Sequence, residues 1–315
     1  MQDISTNRNA RTAWNRSTTR YASPGDRPAV TATTPRPARR RRLATGLRIA
    51  LGLVFGLSGL NHVLGLVAMP AMTGATALFW QGLAQTGYFF PLLGLVELGA
   101  GALLATGWMV PLALVMAAPI VVNVALFHAC LAPQGLGIAL LVAAATLVLA
   151  RHHREAFRGL LAARAGRVGP AVRAVEVALG LVFAASGIAG ALGHTPPPAT
   201  PGAAAMMNGL AASGYFLPLL CGVQVAAGVL LVARRYVGIA LAALAPVVIE
   251  IVAYRLYVAA AAPKMLVVAG AILAATVALG VAYRRMLAPW AAPDRPDDTA
   301  PRALGSDRAP AGPAA

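Results

Sequence analysis

The chain has 315 residues, of which 58% are hydrophobic and only 11% are charged, and its mean hydropathy is +0.70. This composition excludes a soluble globular domain and indicates a protein that lies in the lipid bilayer. The net charge of +16 comes from arginines clustered beside apolar runs. That pattern is typical of the cytoplasmic loops of membrane proteins, and it argues against nucleic-acid binding.

Residues 1–45 form a basic leader that is rich in Arg, Thr, Ser, Asn and Pro. We expect this segment to be disordered and cytoplasmic, because it has almost no aliphatic residues from which to build a core. It is longer than the basic part of a secretory signal, and the apolar run after it has the length of a membrane span, so we expect an uncleaved first helix. Residues 287–315 have a similar composition and form a predicted disordered tail.

Eight apolar runs follow the leader, each with roughly the length of a transmembrane helix. About 20 residues are needed, because each residue of a helix advances about 1.5 Å through the hydrocarbon core. The eight runs are residues 47–67, 87–106, 109–130, 135–150, 175–194, 215–233, 236–257 and 265–283. They predict an all-α, polytopic membrane protein made of two parallel four-helix bundles.

Arginines fall on one side of the membrane when these spans are followed along the chain. They occur in the leader, in the connector between residues 151 and 173, and in the pairs at residues 234–235 and 284–285. Because basic residues accumulate in cytoplasmic loops, both termini are expected in the cytoplasm. We therefore predict a multi-pass protein of the bacterial cytoplasmic (inner) membrane.

The connectors at residues 70–85 and 196–212 are then external. Aromatic residues lie in the first connector and at the outer entries of the second and sixth spans: Phe79, Trp80, Tyr88 and Tyr215. Tyrosine and tryptophan are enriched where a membrane protein meets the lipid head groups. We expect these four rings to lie in that interfacial belt.

The two halves of the chain contain an internal repeat. The segment GLAQTGYFFPLLGLVELGAGALL at residues 82–104 matches GLAASGYFLPLLCGVQVAAGVLL at residues 209–231, and GLVFGLSG at residues 52–59 matches GLVFAASG at residues 180–187. A match of this length indicates a duplication. Because each half has four spans, an even number, both halves enter the membrane in the same direction.

The first half contains the segments LRIALGLVFGLSGLNHVLG, TGYFFPLLGLVELGAGALL, WMVPLALVMAAPIVVNVALFH and HHREAFR. With these it resembles the DoxX family of small four-helix bacterial membrane proteins, and the second half is similar but weaker. The resemblance implies a tandem of DoxX-like domains at residues 46–158 and 173–286, joined by a basic cytoplasmic connector at residues 159–172. It also implies a link to quinone-dependent thiosulfate oxidation or to a redox-stress system.

Glu97 lies near the middle of the second span. An ionisable group at that depth costs at least about 2.5 kcal/mol, so it needs a partner or a function. Four further polar groups fall in the outer parts of the first and third spans: Asn61, His62, Asn123 and His128. We expect all five groups to meet in one polar pocket of the first half, as candidate ligand- or proton-binding residues.

Three of these groups have polar counterparts at the matching positions of the second half: Gln224 for Glu97, Glu250 for Asn123 and Arg255 for His128. Each half thus has one carboxylate and one carboxamide. The carboxylate is on the second span of the first half but on the third span of the second half, and the carboxamide is on the other of these two spans. The exchange predicts that the two groups contact each other within each half, since an amide donates to a carboxylate. Such a pair is either a packing latch or a proton or ligand site, and both alternatives stay open here.

Small residues recur in the first and second spans, at Gly52, Gly56, Ser58, Gly59, Gly99 and Gly101. They predict close packing between helix backbones. Cys130 and Cys221 do not occupy matching positions of the repeat. Two buried thiols are therefore expected, although a disulfide stays open.

The sequence contains no nucleophile triad, phosphate-binding loop or metal-ligand cluster, so a non-catalytic membrane subunit is favoured over an independent enzyme. The donors of the predicted pocket suit a quinone carbonyl, with the flavin or metal centre supplied by a redox partner protein. One alternative function is a small proton-linked transporter with a cavity between the halves. The other is a structural scaffold in which the polar pairs only hold helices together.

Reporter fusions test the topology on which these inferences depend. We expect reporters placed after Arg164, Arg235 and Met286 to behave as cytoplasmic, because the arginine clusters lie there. A reporter inserted between residues 196 and 201 is expected to behave as external. An external signal after Arg164 would contradict the parallel arrangement of the two halves.

Overall fold

The computed structural model describes residues 38–68, 71–258 and 263–291. These residues form eleven α-helices: α1 (Ala38–Leu64), α2 (Gly74–Ala84), α3 (Phe89–Thr106), α4 (Val110–Cys130), α5 (Leu136–His152), α6 (Pro170–Ala191), α7 (Pro201–Ala212), α8 (Phe216–Val232), α9 (Val237–Tyr257), α10 (Pro263–Ala282) and α11 (Arg284–Leu287). Short 3-10 helices at Pro133–Gly135 and Ala288–Ala291 precede α5 and follow α11. Most of the predicted leader and tail lie outside the described residues.

Seven of the described helices are long and apolar enough to cross a membrane, namely α1, α3, α4, α5, α6, α9 and α10. An eighth span results if α7 and α8, which are bent by 92° relative to each other, are counted as one. Large apolar side chains on these helices point outward; Ile138 and Val267 are 73% and 71% exposed. Such surfaces require lipid, and the chain is an all-α polytopic membrane protein, as predicted.

Each half has an apolar core near the end of the molecule at which α3 and α8 finish. The first core includes Leu51, Leu104 and Leu114, and the second includes Leu179, Leu231 and Leu244. We call this end the arginine face, because Arg48, Arg173 and Arg234 lie there, and the other end the opposite face. The first core draws on α1, α3, α4 and α5, and the second on α6, α8, α9 and α10.

Glycines bring α1 and α3 into direct backbone contact. A Cβ atom added at Gly59 would lie 2.6 Å from the Gly94 carbonyl oxygen, and one at Gly101 would lie 2.6 Å from the Gly56 nitrogen. In the second half, a Cβ atom at Gly228 would lie 2.5 Å from the Gly180 carbonyl oxygen. The predicted small-residue packing is thus confirmed for these helices.

The two connectors at the opposite face contain helices α2 and α7, which pack against each other. A Cβ atom at Gly82 would lie 2.5 Å from the Ala205 carbonyl oxygen, so the two backbones nearly touch. Phe79 of α2 is only 2% exposed and packs with Leu210 of α7. The expectation that Phe79 lies among the lipid head groups is therefore wrong, because the helix of the other half covers it.

Alanine substitutions at two glycines test the α1–α3 contact. Alanine favours a helix by about 1 kcal/mol over glycine, but at Gly101 its Cβ would collide with the backbone of α1. We expect Gly101→Ala to lower the free energy of unfolding in detergent by about 1–3 kcal/mol. Gly137 of α5 has open space around it, so Gly137→Ala is the control and should be neutral or stabilising. Equal effects of the two substitutions would contradict the close approach.

Candidate functional site

Glu97 is the centre of a polar network between α1 and α3. Its side chain is buried, with only 4% of the residue exposed. One carboxyl oxygen, Oε2, lies 2.7 Å from Nδ1 of His62 and accepts a hydrogen bond from the Ser58 hydroxyl at 3.1 Å. Both partners belong to α1, on either side of Gly59. The glycine contact that joins the helices therefore also places these three side chains together.

The His62 ring begins a stack of three aromatic rings. Its centroid lies 5.5 Å from that of Phe90, with an angle of 19° between the planes, and Phe90 lies 5.0 Å from Trp80 at 10°. The His62 side chain is 16% exposed. In the part of the chain that the structure describes, no hydrogen bond reaches His62 Nε2, and the buried Trp80 Nε1–H has no acceptor. An unsatisfied buried donor costs free energy unless a ligand or water meets it.

The Glu97–His62 pair is suited to holding and passing a proton. A carboxylate that accepts from Nδ1–H fixes the imidazole tautomer and stabilises the protonated ring. Nε2 is then an acceptor in the neutral ring and a donor in the charged ring. Among the described residues, no group of three or more His, Cys, Asp or Glu side chains is arranged to bind a metal ion.

The other three predicted pocket residues have separate partners. Asn61 Oδ1 accepts from the backbone N–H of Val67 at 2.7 Å, and His128 Nδ1 lies 2.9 Å from the carbonyl oxygen of Ala132. These two side chains therefore close the turns after α1 and α4. Asn123 hydrogen-bonds to neither of them. The hydrogen bonds of the structure thus join Glu97 to His62 but do not link all five groups.

The predicted pairing of Glu97 with Asn123 is wrong, because each half reaches across to the other. The Tyr215 hydroxyl of the second half donates to Asn123 Oδ1 at 2.9 Å. The Tyr88 hydroxyl of the first half donates to Glu250 Oε2 at 3.0 Å. We call these two contacts the reciprocal tyrosine bonds.

The reciprocal tyrosine bonds explain the exchange of carboxylate and amide between the halves. Tyr88 and Tyr215 match in the repeat, and so do their acceptors Glu250 and Asn123. A tyrosine donor needs only an acceptor oxygen, which both side chains supply. Each tyrosine hydroxyl is the donor, so a carboxylate and an amide serve equally as its acceptor.

The second half lacks the network that surrounds Glu97. Ala189 and Gly190 stand where the first half has Asn61 and His62, and no hydrogen bond is made by the Gln224 side chain in the described ranges. The Arg255 guanidinium lies 5.7 Å from the ring centroid of Tyr254. Cys130 and Cys221 are both free, but Cys130 is exposed and Cys221 is only partly buried, so the expectation of two buried thiols is wrong.

Sequence reasoning missed a buried acid at the arginine face. Glu176, at the start of α6, is completely buried. Its carboxyl oxygens lie 3.3 Å from Arg173 Nη1, 3.4 Å from Arg234 Nε and 3.3 Å from the Tyr283 hydroxyl. The residue is the second of the predicted fifth span, and only the conflict between an acid and its apolar neighbours Val175 and Val177 could have indicated burial.

Comparisons with protein-family models, with curated proteins and with solved structures find no match to this chain. The chemistry of its own side chains is therefore the basis on which its function is inferred.

A double-mutant cycle tests the bond between the halves. We expect Tyr88→Phe and Glu250→Leu each to lower the free energy of unfolding by about 1–3 kcal/mol, because each leaves a buried polar partner unsatisfied. The combined variant should show a coupling of about 0.6–1.7 kcal/mol. Glu250→Gln is the control and should be tolerated, since Asn123 shows that an amide serves at the matching position. Additivity within about 0.5 kcal/mol would contradict the contact.

Proposed function

We propose that this protein is a membrane subunit of a redox system and that it binds a quinone head group at the Glu97–His62 pair. The observation that carries the proposal is the buried carboxyl–imidazole pair next to a stack of aromatic rings. A quinone is a flat apolar ring with two carbonyl oxygens. It therefore needs aromatic surroundings, hydrogen-bond donors and a route for protons.

His62 and Trp80 supply the donors that a quinone requires. His62 Nε2–H, in the charged ring, donates to a carbonyl oxygen, while Glu97 holds the ring through Nδ1. The Trp80 Nε1–H is a second donor of the same aromatic stack. The apolar quinone ring packs among the aromatic side chains and is held in the low-dielectric interior, where such hydrogen bonds are stronger than in water.

The pair also fits the proton balance of quinone chemistry. Reduction of one quinone to its quinol takes two electrons and two protons. Under this proposal, a partner redox protein supplies the electrons from its flavin or metal centre. One proton leaves His62 Nε2 for the carbonyl oxygen, and the second comes from water. Glu97 stabilises the imidazolium before transfer, and water then restores the proton to His62.

Two further observations support quinone binding in a redox system. The first half resembles the DoxX family, whose members are linked to quinone-dependent and redox-stress systems. The arginine distribution favours a bacterial inner membrane with both termini in the cytoplasm. Under that topology the Glu97–His62 pair lies toward the outer side. Gly190 replaces His62 in the second half, so the second half acts as a packing partner at this site.

One observation favours a second candidate, a proton-linked transporter. Glu250 is an acid placed between the two halves by its bond to Tyr88. Loss or gain of its proton would change the contact that joins the halves, which is the element that moves in many transporters. Its counterpart Asn123 cannot titrate, so such a mechanism would depend on one acid. If the protein were only a scaffold, Glu97 and Glu250 would serve helix packing alone.

Quinone binding by the purified full-length chain tests the proposal. We expect short-chain benzoquinone or naphthoquinone analogues to bind. His62→Ala should raise the Kd of binding by about tenfold or more, because a charge-assisted hydrogen bond is lost. Glu97→Gln should weaken binding with little loss of stability, since an amide still accepts from Nδ1. Gln224→Ala, at the matching depth of the second half, is the control and should bind as the unmodified chain does.

Three outcomes separate the candidate functions. A loss of stability in Glu97→Gln without a change in quinone binding would support a packing latch. Proton uptake into proteoliposomes that disappears in Glu250→Gln would support the transporter. Absence of quinone binding by the unmodified chain would overturn the proposal.

A further inference from the structure

The turn between α8 and α9 is strained in a way that its counterpart in the first half is not. Arg234 has φ of +54°, in the left-handed region. The matching residue of the first half is Gly107, with φ of +78°, which costs a glycine little. An arginine in this conformation costs about 1–2 kcal/mol. The fold tolerates this strain because the Arg234 side chain makes contacts that hold it in position.

Arg234 is held between the buried acid and the connector. Its Nε lies 3.4 Å from Glu176 Oε2, and its Nη2 donates to the Gly166 carbonyl oxygen at 2.5 Å. The backbone of the connector also contacts the backbone of Arg234, because the Ala165 N–H donates to the Arg234 carbonyl oxygen at 3.3 Å. The guanidinium is therefore fixed in position and preorganised for a ligand, whereas a surface arginine would lose entropy on binding.

Arg234 lines a pocket at the arginine face together with two other arginines. The pocket has a volume of about 310 Å³ and is lined by Arg164, Ala165, Ala233, Arg234 and Arg235. It lies between the connector and the α8–α9 turn, where α8 ends and α9 begins. This is the level at which an apolar span meets the aqueous phase.

The charges around this pocket do not balance. Glu176 supplies one negative charge and already contacts Arg173 and Arg234. Arg164 and Arg235 make no ion pair with any acid in the described part of the chain. Guanidinium groups match the oxygens of a phosphate in geometry and charge, and basic pockets at the ends of membrane helices bind anionic head groups.

We propose that the pocket lined by Arg164, Arg234 and Arg235 binds a phosphate group. The phosphate is carried either by an anionic lipid head group or by a soluble phosphate, and the chemistry of recognition is the same for both. The first half has no such site, since Gly107 and Trp108 stand where the second half has Arg234 and Arg235. The proposed site is at the face opposite the Glu97–His62 pair and is independent of quinone binding.

Ligand-induced stabilisation of the full-length chain in detergent tests the site. The melting temperature is measured with added short-chain phosphatidylglycerol, with phosphatidylcholine and with inorganic phosphate. We expect phosphatidylglycerol or inorganic phosphate to raise the melting temperature, because either ligand binds only the folded chain. Stabilisation by phosphatidylglycerol alone identifies a lipid site, and stabilisation by inorganic phosphate as well identifies a site for the phosphate group itself.

The double variant Arg164→Gln with Arg235→Gln should weaken the apparent affinity by about thirtyfold, since each arginine contributes about 1 kcal/mol to binding an anionic head group. Both side chains are exposed, so the fold should persist. The matched control is Arg284→Gln with Arg285→Gln, which removes the same charge from the same face outside the pocket and should keep the affinity.

A second variant, Arg235→Trp, installs the residue that the first half carries at the matching position. It should also weaken binding while the chain folds. Equal losses in the pocket variant and in the Arg284 and Arg285 control would show that diffuse charge is responsible and would overturn the site. So would an unmodified chain that neither phosphatidylglycerol nor inorganic phosphate stabilises, or one that phosphatidylcholine stabilises equally.

Discussion

A polar group inside a bilayer finds no water, so the protein itself must supply its partner. That constraint governs the polar residues of the described spans. Ser58 and His62 satisfy Glu97, and Tyr88 satisfies Glu250. At the arginine face, Arg48 donates to the carbonyl oxygen of Leu104 in the last turn of α3. The helices are arranged so that these partners meet, and apolar packing fills the rest.

Packing and chemistry are separable in this architecture. The glycine contacts between α1 and α3 recur between α6 and α8, where a Cβ atom at Gly180 would lie 2.8 Å from the Gly228 carbonyl oxygen. The second half keeps that close approach although Gln224 has replaced Glu97 and no histidine faces it. A buried acid is therefore not needed to bring the helices together. Under the quinone proposal, the acid of the first half has a role beyond packing.

The spans and the small-residue contacts could be predicted from the sequence, because length, apolarity and residue size are properties of one segment at a time. The partners of the polar groups could not. The matching segments pair Asn123 with Glu250, but they do not tell which half each one contacts. Tyr88 and Tyr215 have the position of an interfacial belt, but their hydroxyls reach acceptors of the other half. The burial of Glu176 was missed for a related reason, since one of its two cations, Arg234, comes from a sequence-distant turn.

The two halves differ in opposite ways at the two ends of the molecule. At the opposite face, the first half keeps the acid and histidine, and the second half has Gln224 and Gly190. At the arginine face, the second half has Arg234 in a strained turn, and the first half keeps the unstrained Gly107. The reciprocal tyrosine bonds tolerate this divergence because each requires only an oxygen acceptor. Under the two proposals, the first half serves proton chemistry through Glu97 and His62, and the second half binds an anion through Arg234.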